Sequence, residues 1–346
     1  MYILKSYKGR TMEHKLQFNN KKIVIAIVLA LSSIATSANA QNLATPAIAS
    51  TNNNNKKLPQ APVKQEEAVI AYQGNTFDKI RTTGKVLIGF RGAAIPLSYY
   101  DENKKPIGYA MDICSNIADK LKQRLNMPGL IVEYVETTPA TRIPLVVSGK
   151  VDYECGATSS SAERRKQVSF SVPYYMDAVR MLVKNGSPIS NLEDLRGQSV
   201  AFSKGTVAIP IMKKFNTQRT LNIKFNEVES YAKGVEEIDK GRSVALVTNA
   251  LLLEGVKLSL PNPNNYSVVG DLLSVEPTSI MLRKNDPEFQ SFIDKEMIRI
   301  AKTGQLEVYY KKWFLSPIAP KNQVLNIQPS PLLIDIFRMP TSVVGN

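Results

Sequence analysis

The stretch Lys85-Val-Leu-Ile-Gly-Phe90 is short, apolar and rich in β-branched residues, which predicts a strand buried in a sheet. Apolar residues then recur at every fourth position from Ile113 to Leu125, and this spacing predicts an amphipathic helix over residues 110 to 125. Leu130 to Val135 predicts the next strand. A strand, a helix and a second strand in this order are typical of a right-handed crossover, so the sequence predicts a mostly parallel sheet.

The same alternation recurs further along the chain. Ser199 to Ser203 and Ser243 to Thr248 predict two more strands, each followed by a predicted helix. Ser279 to Arg283 predicts a further strand, and helices over 286 to 302 and 304 to 313 follow it. With 346 residues, the chain has room for about two domains. The economical interpretation is an α/β protein of two lobes, each a mostly parallel sheet flanked by helices.

The first 75 residues differ from the rest in composition. Lys21 and Lys22 precede the apolar run from Ile23 to Leu31, and Ala38-Asn39-Ala40 ends the stretch. A basic start, a short apolar centre and small residues before a cleavage site are typical of a secretory signal peptide, so residues 1 to 40 are predicted to be removed after export. Residues 41 to 75 are rich in Asn, Pro and charge without periodicity, which predicts a disordered leader.

Composition excludes several kinds of chemistry. The formal net charge is +14, and the single histidine, His14, lies in the predicted signal peptide. A mature chain without histidine has no Ser-His-Asp or Cys-His catalysis and no His-ligated metal, and two cysteines cannot fill a four-thiolate site. We therefore expect no metal and no cofactor, and export argues against a nucleic-acid partner. Cys114 and Cys155 are either a disulfide or two small core residues.

Polar residues follow several of the predicted strands, and ligands of open parallel sheets bind beyond the carboxyl ends of strands. Arg91 follows the first strand, the stretch Gly156 to Arg164 follows the strand ending at Cys155, and Asn249 follows Thr248. The Gly156 to Arg164 stretch offers backbone N–H groups, hydroxyls and a guanidinium, which predicts an anion site. The alternative is a helix cap followed by a solvated basic face.

A series of short motifs in a fixed order resembles the periplasmic amino-acid-binding proteins of ABC importers, and within them the branch that binds glutamate and aspartate. The motifs are Gly89-Phe-Arg91, Pro96-Leu-Ser-Tyr-Tyr-Asp101, Gly108-Tyr-Ala-Met-Asp112, Arg142-Ile-Pro, Asp152-Tyr-Glu-Cys-Gly156, Glu163-Arg164, Leu195-Arg-Gly197 and Tyr310-Lys-Lys-Trp-Phe314. The resemblance covers about residues 76 to 330. It implies a two-lobed binding protein of type II, in which two hinge strands let the lobes close on a small ligand.

The resemblance also implies the division of the chain and its partners. Lobe 1 is expected at 76–183 and 275–320, lobe 2 at 184–274 and a C-terminal tail at 321–346. The protein would be a periplasmic monomer that delivers a small anionic ligand to the permease of an ABC importer in the inner membrane. It would not be an enzyme.

Individual site residues are implied by the same motifs. The resemblance assigns Arg91 and Arg142 to the side-chain carboxylate of the ligand, Arg164, Thr158 and Ser159 to its α-carboxylate, and Thr206 of the second lobe to a contact made on closure. Tyr231 stands where the family has histidine, and Asn249 where it has an aspartate that receives the α-ammonium.

The amide at Asn249 removes the charged partner of an ammonium group, and burying an ammonium without a carboxylate is costly. Three arginines remain to meet two negative charges. We therefore expect a receptor for a small dianion, with glutamate or aspartate first and amine-free or amine-blocked dicarboxylates second. Glu276, near the second hinge strand, is the candidate to replace the lost charge. The alternative is a secreted dehydratase-like enzyme of the same fold that acts on a small carboxylate, with Glu276 or Glu154 as its general acid.

Overall fold

The computed structural model describes residues 71–341, so the signal peptide expected at 1–40 and most of the leader expected at 41–75 lie outside the described residues. The strands are β1 (Lys85–Arg91), β2 (Ala93–Ala94), β3 (Ser98–Tyr100), β4 (Pro106–Ile107), β5 (Ile131–Thr137), β6 (Tyr153–Glu154), β7 (Val168–Asp177), β8 (Val179–Lys184), β9 (Ser199–Ser203), β10 (Lys224–Val228), β11 (Ala245–Asn249), β12 (Tyr266–Val269) and β13 (Glu276–Arg283). The helices are α1 (Thr76–Thr83), α2 (Tyr109–Leu125), α3 (Arg142–Val147), α4 (Ala162–Arg165), α5 (Ala208–Gln218), α6 (Tyr231–Asp239), α7 (Ala250–Ser259), α8 (Pro287–Lys302), α9 (Gln305–Phe314) and α10 (Pro331–Arg338).

Two five-stranded sheets form the centres of two lobes. The sheet of lobe 1 has the order β5-β1-β6-β13-β7, and that of lobe 2 has the order β10-β9-β11-β8-β12. In lobe 1, β1 is parallel to β5 and β6, whereas β13 is antiparallel to both of its neighbours. In lobe 2, β9 is parallel to β10 and β11, whereas β8 is antiparallel to β11 and β12. The predicted two-lobed α/β fold is therefore confirmed, with one strand of each sheet running against the others.

The chain crosses between the lobes twice. Because β7 ends in the first sheet and β8 begins in the second, the first crossing is at Ala178. The sheet pairing thus places the start of lobe 2 a few residues before the expected boundary at 184. The chain returns between Val269 and Glu276, and Glu276 pairs with Asp177 across the ladder of β7 and β13. The two crossing segments therefore lie side by side.

The core of lobe 1 fixes the elements that carry the site. Tyr109 of α2 and Tyr310 and Phe314 of α9 are buried, and the rings of Tyr310 and Phe314 stack with centroids 4.1 Å apart. Cys114 of α2 forms a disulfide with Cys155, the residue that follows β6. This settles the alternative left open by the sequence. It also joins α2 covalently to the loop that leaves the sheet at this edge.

Part of the expected C-terminal tail is folded onto lobe 1. Helix α10 begins with the hydroxyl of Ser330 accepting a hydrogen bond from the backbone N–H of Leu333, and Pro331 occupies its first turn. Leu333 and Phe337 are buried, and the Phe337 ring lies 5.7 Å from the Tyr310 ring. Residues 321–341 are therefore part of this lobe. No helix in the part of the chain from 71 to 341 has both the length and the apolar character to span a bilayer.

Candidate functional site

Three buried arginines lie at the edge of the lobe 1 sheet where its parallel strands end. Arg91 is the last residue of β1, Arg142 opens α3 after β5, and Arg164 lies in α4 after the loop that leaves β6. Their exposed fractions are 6%, 2% and 8%, respectively. A buried charge needs hydrogen-bond partners of opposite polarity, so the cluster demands carbonyl oxygens or anions.

The loop after β6 orients two of these guanidinium groups. Arg142 Nη1 donates hydrogen bonds to Ala157 O (3.2 Å) and Thr158 Oγ1 (2.7 Å), and Arg164 Nη1 donates to Ser159 O (2.9 Å). The sequence predicts an anion site in this loop. In the structure, the oxygens of the loop hold the arginines that an anion would meet.

The second lobe touches the same two arginines through one backbone carbonyl. Arg142 Nη2 and Arg164 Nη2 both donate to Gly205 O, at 3.4 Å and 3.1 Å. Gly205 has a φ of +73°, and a Cβ atom added to it would lie 2.6 Å from the backbone oxygen of Pro139 in lobe 1. The two lobes are therefore closed against each other at this point, and the closure depends on the absence of a side chain.

Burial and, after it, mutual repulsion lower the pKa values of Arg142 and Arg164. Burial, followed by the charge of Arg164, lowers the pKa of Arg142 to about 9, and the carboxylate of Glu154 opposes this shift. Burial also lowers the pKa of Arg164, with Glu276 and Glu154 opposing. An anion placed between the guanidinium groups would relieve the repulsion, so the electrostatics favour an anionic ligand.

The buried carboxylate of Glu154 is linked to the arginine cluster through Thr158. Thr158 Oγ1 accepts from Arg142 and donates to Glu154 Oε2 at 2.7 Å, so one hydroxyl links the guanidinium to the carboxylate. Arg142 Nε and Glu154 Oε1 are buried and have no hydrogen-bond partner within residues 71–341. The link fixes the direction of the guanidinium group while leaving one of its donors unused.

The residues expected from lobe 2 differ in what they contact. Asn249 Nδ2 donates to Ser159 Oγ at 3.5 Å, which is a contact between the lobes. The Tyr231 ring lies under the guanidinium of Arg91, 6.0 Å from ring centroid to Cζ. Thr206 Oγ1 instead donates to Ser203 O at 2.8 Å, within its own loop. The structure thus gathers Tyr231 and Asn249 at the arginine cluster and directs the Thr206 hydroxyl to its own lobe.

A cavity of about 380 Å³ lies between the lobes beside the cluster. Arg91, Tyr99 and Thr137 line it from lobe 1, and Tyr231 and Val256 line it from lobe 2. The cavity therefore connects the first arginine of the cluster with the opposing lobe, next to a tyrosine that already contacts that arginine.

The crossing segments place two carboxylates near the cluster. Asp177 Oδ1 accepts hydrogen bonds from the backbone N–H groups of Ala178 (2.8 Å) and Leu251 (3.2 Å). Burial, followed by the charge of Glu276, raises the pKa of Asp177 to about 7. Burial likewise raises the pKa of Glu276, and the hydroxyl of Ser274 opposes this shift.

Sequence reasoning missed Asp177 and the carbonyl of Gly205, because neither has a recognisable motif.

Two α/β lobes that are joined by two crossing segments and closed around buried arginines define a two-lobed solute receptor. The chain belongs to the bacterial extracellular solute-binding proteins, family 3, whose family model matches residues 86–316.

Proteins of known role are similar to this chain over most of its length. The glutamate/aspartate import solute-binding protein of Salmonella typhimurium is 34% identical over 79% of this chain and 90% of its own. The L-glutamate/L-aspartate-binding protein of Pseudomonas aeruginosa is 35% identical over 82% of this chain and 93% of its own. These similarities confirm the resemblance seen in the sequence motifs.

A solved structure agrees with the fold. The solute receptor for L-cysteine of Neisseria gonorrhoeae has a TM-score of 0.62 and 28% sequence identity, and it covers 73% of this chain and 97% of its own. The relatives are named for solute binding in import rather than for catalysis. The chain is therefore a solute-binding protein and not an enzyme, and the dehydratase alternative is not favoured.

Proposed function

We propose that the protein binds glutamate, aspartate or a related dicarboxylate between its lobes and delivers it to the permease of an ABC importer. The observation that carries the proposal is the convergence of three buried guanidinium groups, Arg91, Arg142 and Arg164, at the closed junction of the lobes. The names of the similar proteins from Salmonella typhimurium and Pseudomonas aeruginosa support the ligand class and the importer.

Each arginine has a proposed role. Arg91 and Arg142 hold the side-chain carboxylate of the ligand, and Arg164, with Thr158 and Ser159, holds its α-carboxylate. The cavity beside Arg91 and the lobe 2 ring of Tyr231 give the ligand a place between the lobes. Charge-assisted hydrogen bonds contribute roughly 1.5–3 kcal/mol each, so several of them, less the cost of ordering and desolvation, are consistent with the ~8 kcal/mol of a micromolar site.

Closure of the lobes is the proposed response to the ligand. Arg142 and Arg164 of lobe 1 donate to the uncharged carbonyl of Gly205 in lobe 2. A carboxylate is a stronger acceptor than a carbonyl, and a ligand held by both lobes stabilises the closed form relative to the open one. The permease then receives the closed form. A periplasmic location, a cleaved signal peptide and a monomeric state belong to the same proposal.

Isothermal titration calorimetry with glutamate and aspartate tests the proposal. Arg164→Ala should raise the dissociation constant at least a hundredfold, because it removes a guanidinium that makes two hydrogen bonds at the junction. Lys166→Ala is the matched control, since it removes a neighbouring cation that is exposed and pairs with Glu163. Circular dichroism would show that both variants fold. Unchanged affinity in Arg164→Ala would show that the ligand binds elsewhere.

A further inference from the structure

We propose that Glu276 receives the ammonium group of the ligand, so that the site selects amine-bearing acidic amino acids over amine-free dicarboxylates. This inference rests on the proposed function and assigns the specificity of the same site. It makes the carboxylate of a crossing segment, rather than the lobe 2 residue Asn249, the determinant of the amine.

The position of Glu276 carries the first step. Glu276 opens β13 and is 7% exposed, and the next residue, Pro277, accepts a backbone hydrogen bond from Ser160 at 2.8 Å, so Glu276 lies beside the loop that carries Ser159. The hydroxyls of Ser274 and Ser159 oppose the burial that raises the pKa of Glu276. Ser159 is also the residue whose carbonyl accepts from Arg164 at 2.9 Å and whose hydroxyl accepts from Asn249 at 3.5 Å. The guanidinium, the amide and the carboxylate therefore meet at one serine.

The geometry of an amino acid supplies the second step. The α-carboxylate and the ammonium are attached to the same carbon atom, so an α-carboxylate held by Arg164 and Ser159 places the ammonium beside Ser159. The side chains that meet there are Asn249, which is uncharged, and Glu276, which carries the opposite charge to an ammonium. Only the second can neutralise the ligand cation.

Glu276 itself lacks a cation. Among residues 71–341, no lysine or arginine lies within 4.0 Å of this carboxylate, although the charge of Arg164 lowers the pKa of Glu276 and so favours its ionised form. A buried carboxylate without a paired cation is unfavourable. A ligand ammonium beside Ser159 would supply that cation and stabilise the ionised carboxylate.

The carboxylates of Asp177 and Glu154 are held by other contacts in the protein. Asp177 lies opposite Glu276 in the ladder, but its Oδ1 atom accepts from the backbone N–H of Leu251 in the first turn of α7. Glu154 is fully buried under the loop, and a Cβ atom added to Gly156 would lie 2.0 Å from its Oε1 atom. The backbone of the loop therefore covers Glu154. Glu136 and Glu229 line the cavity, but Glu136 accepts from the Tyr100 hydroxyl and Glu229 pairs with Lys204, so Glu276 is the carboxylate that remains beside Ser159.

The charge balance of the cluster also favours a ligand that carries an ammonium group. Three guanidinium groups with the carboxylates of Glu154 and Glu276 leave one net positive charge, before Asp177 is counted, which has a pKa of about 7 and is partly protonated at neutral pH. Glutamate and aspartate carry one net negative charge at neutral pH, whereas a dicarboxylate without an amine carries two. The complex with an acidic amino acid is therefore one charge less negative than the complex with an amine-free dicarboxylate.

Calorimetry with glutamate and glutarate, which is glutamate without its amine, tests the inference. The wild-type protein should bind glutamate at least tenfold more tightly than glutarate. Glu276→Gln should weaken glutamate about ten- to a hundredfold and leave glutarate within threefold of wild type, since only glutamate loses a charge-assisted hydrogen bond. Asp177→Asn is the matched control, because it neutralises the other carboxylate of the crossing and should retain the preference for glutamate.

A second variant distinguishes loss of the ammonium contact in Glu276→Gln from loss of folding. Asn249→Asp in the Glu276→Gln background returns a carboxylate to the other side of Ser159 and should restore a preference for glutamate. Equal weakening of both ligands in Glu276→Gln would overturn the inference and leave the proposed function standing. No binding of glutamate, aspartate or glutarate by the wild-type protein would overturn the proposed function itself.

Discussion

The two lobes meet at one junction but contribute to it in different ways. Within residues 71–341, every buried charged side chain belongs to lobe 1, and the junction itself holds Arg91, Arg142, Arg164 and Glu276. Lobe 2 offers the backbone carbonyl of Gly205 and mostly uncharged side chains, and its Glu229, which lines the cavity, is paired with Lys204. Lobe 1 can therefore recognise the charge of a ligand before closure, whereas lobe 2 determines whether the closed form is reached.

The largest expected effect comes from removing a lobe 1 charge. Arg142→Met should raise the dissociation constant for glutamate at least a hundredfold, or about 3 kcal/mol, because charge-assisted hydrogen bonds to a carboxylate are lost. Tyr231→Phe is the lobe 2 counterpart and should change the affinity less than tenfold, because it keeps the ring beneath Arg91. Calorimetry measures both. Equal losses in the two variants would show that charge recognition is shared between the lobes.

A smaller effect is expected from obstructing closure at a backbone contact between the lobes. Gly255 lies within α7 of lobe 2, and a Cβ atom added to it would lie 2.1 Å from the backbone oxygen of Ile95 in lobe 1. Gly255→Ala should therefore weaken ligand binding about tenfold, since the closed form must shift to admit the methyl group. Alanine is the better helix former, so the melting temperature of the unliganded protein should not fall.

Small-angle X-ray scattering with saturating ligand distinguishes this mechanism from local damage. The Gly255→Ala variant should retain a larger radius of gyration than the wild-type protein under these conditions. Lys257→Ala, on the same helix and partly exposed, should close normally. A fully closed Gly255→Ala variant would show that the contact with Ile95 does not limit closure.

Much of lobe 1 could be predicted from the sequence because its signals are local. Arg91 and the stretch from Gly156 to Arg164 directly follow strands, and parallel strands bring their carboxyl ends to one edge of the sheet. The pairing of Cys114 with Cys155 could not be fixed, since two cysteines 41 residues apart carry no signal of whether their side chains meet. The resemblance implies only a tail at 321–346, whereas the structure has a helix there, which Ser330 caps and Pro331 begins.

The junction was harder to predict because its contacts are remote in sequence and partly backbone. A carbonyl such as that of Gly205 has no side chain to reveal its role. Asn249 precedes α7 as a capping residue would, yet its side chain makes no capping hydrogen bond to that helix. The acceptor is Asp177, which is 74 residues away from Leu251 in the sequence. Such a partner is visible only when the first crossing has folded against α7.

The smallest expected effect concerns the segment that joins the lobes. The pKa of Asp177 is about 7 in the folded protein, well above its ordinary value of 3.8, because of burial and the nearby charge of Glu276. The folded state therefore binds this proton more tightly than the unfolded state does. The resulting stability is fully present below pH 3.8 and is lost as the pH rises through about 7.

Urea unfolding of the unliganded protein at pH 5 and pH 8 measures this contribution. The wild-type protein should be less stable at pH 8, and Asp177→Asn should reduce the difference by on the order of 1 kcal/mol, a modest value because the side chain is only partly buried. The asparagine oxygen can still accept from the N–H of Leu251, so the cap of α7 is kept. An identical pH dependence in the variant would mean that Asp177 is ionised throughout, and that the crossing tolerates two opposed carboxylates without cost.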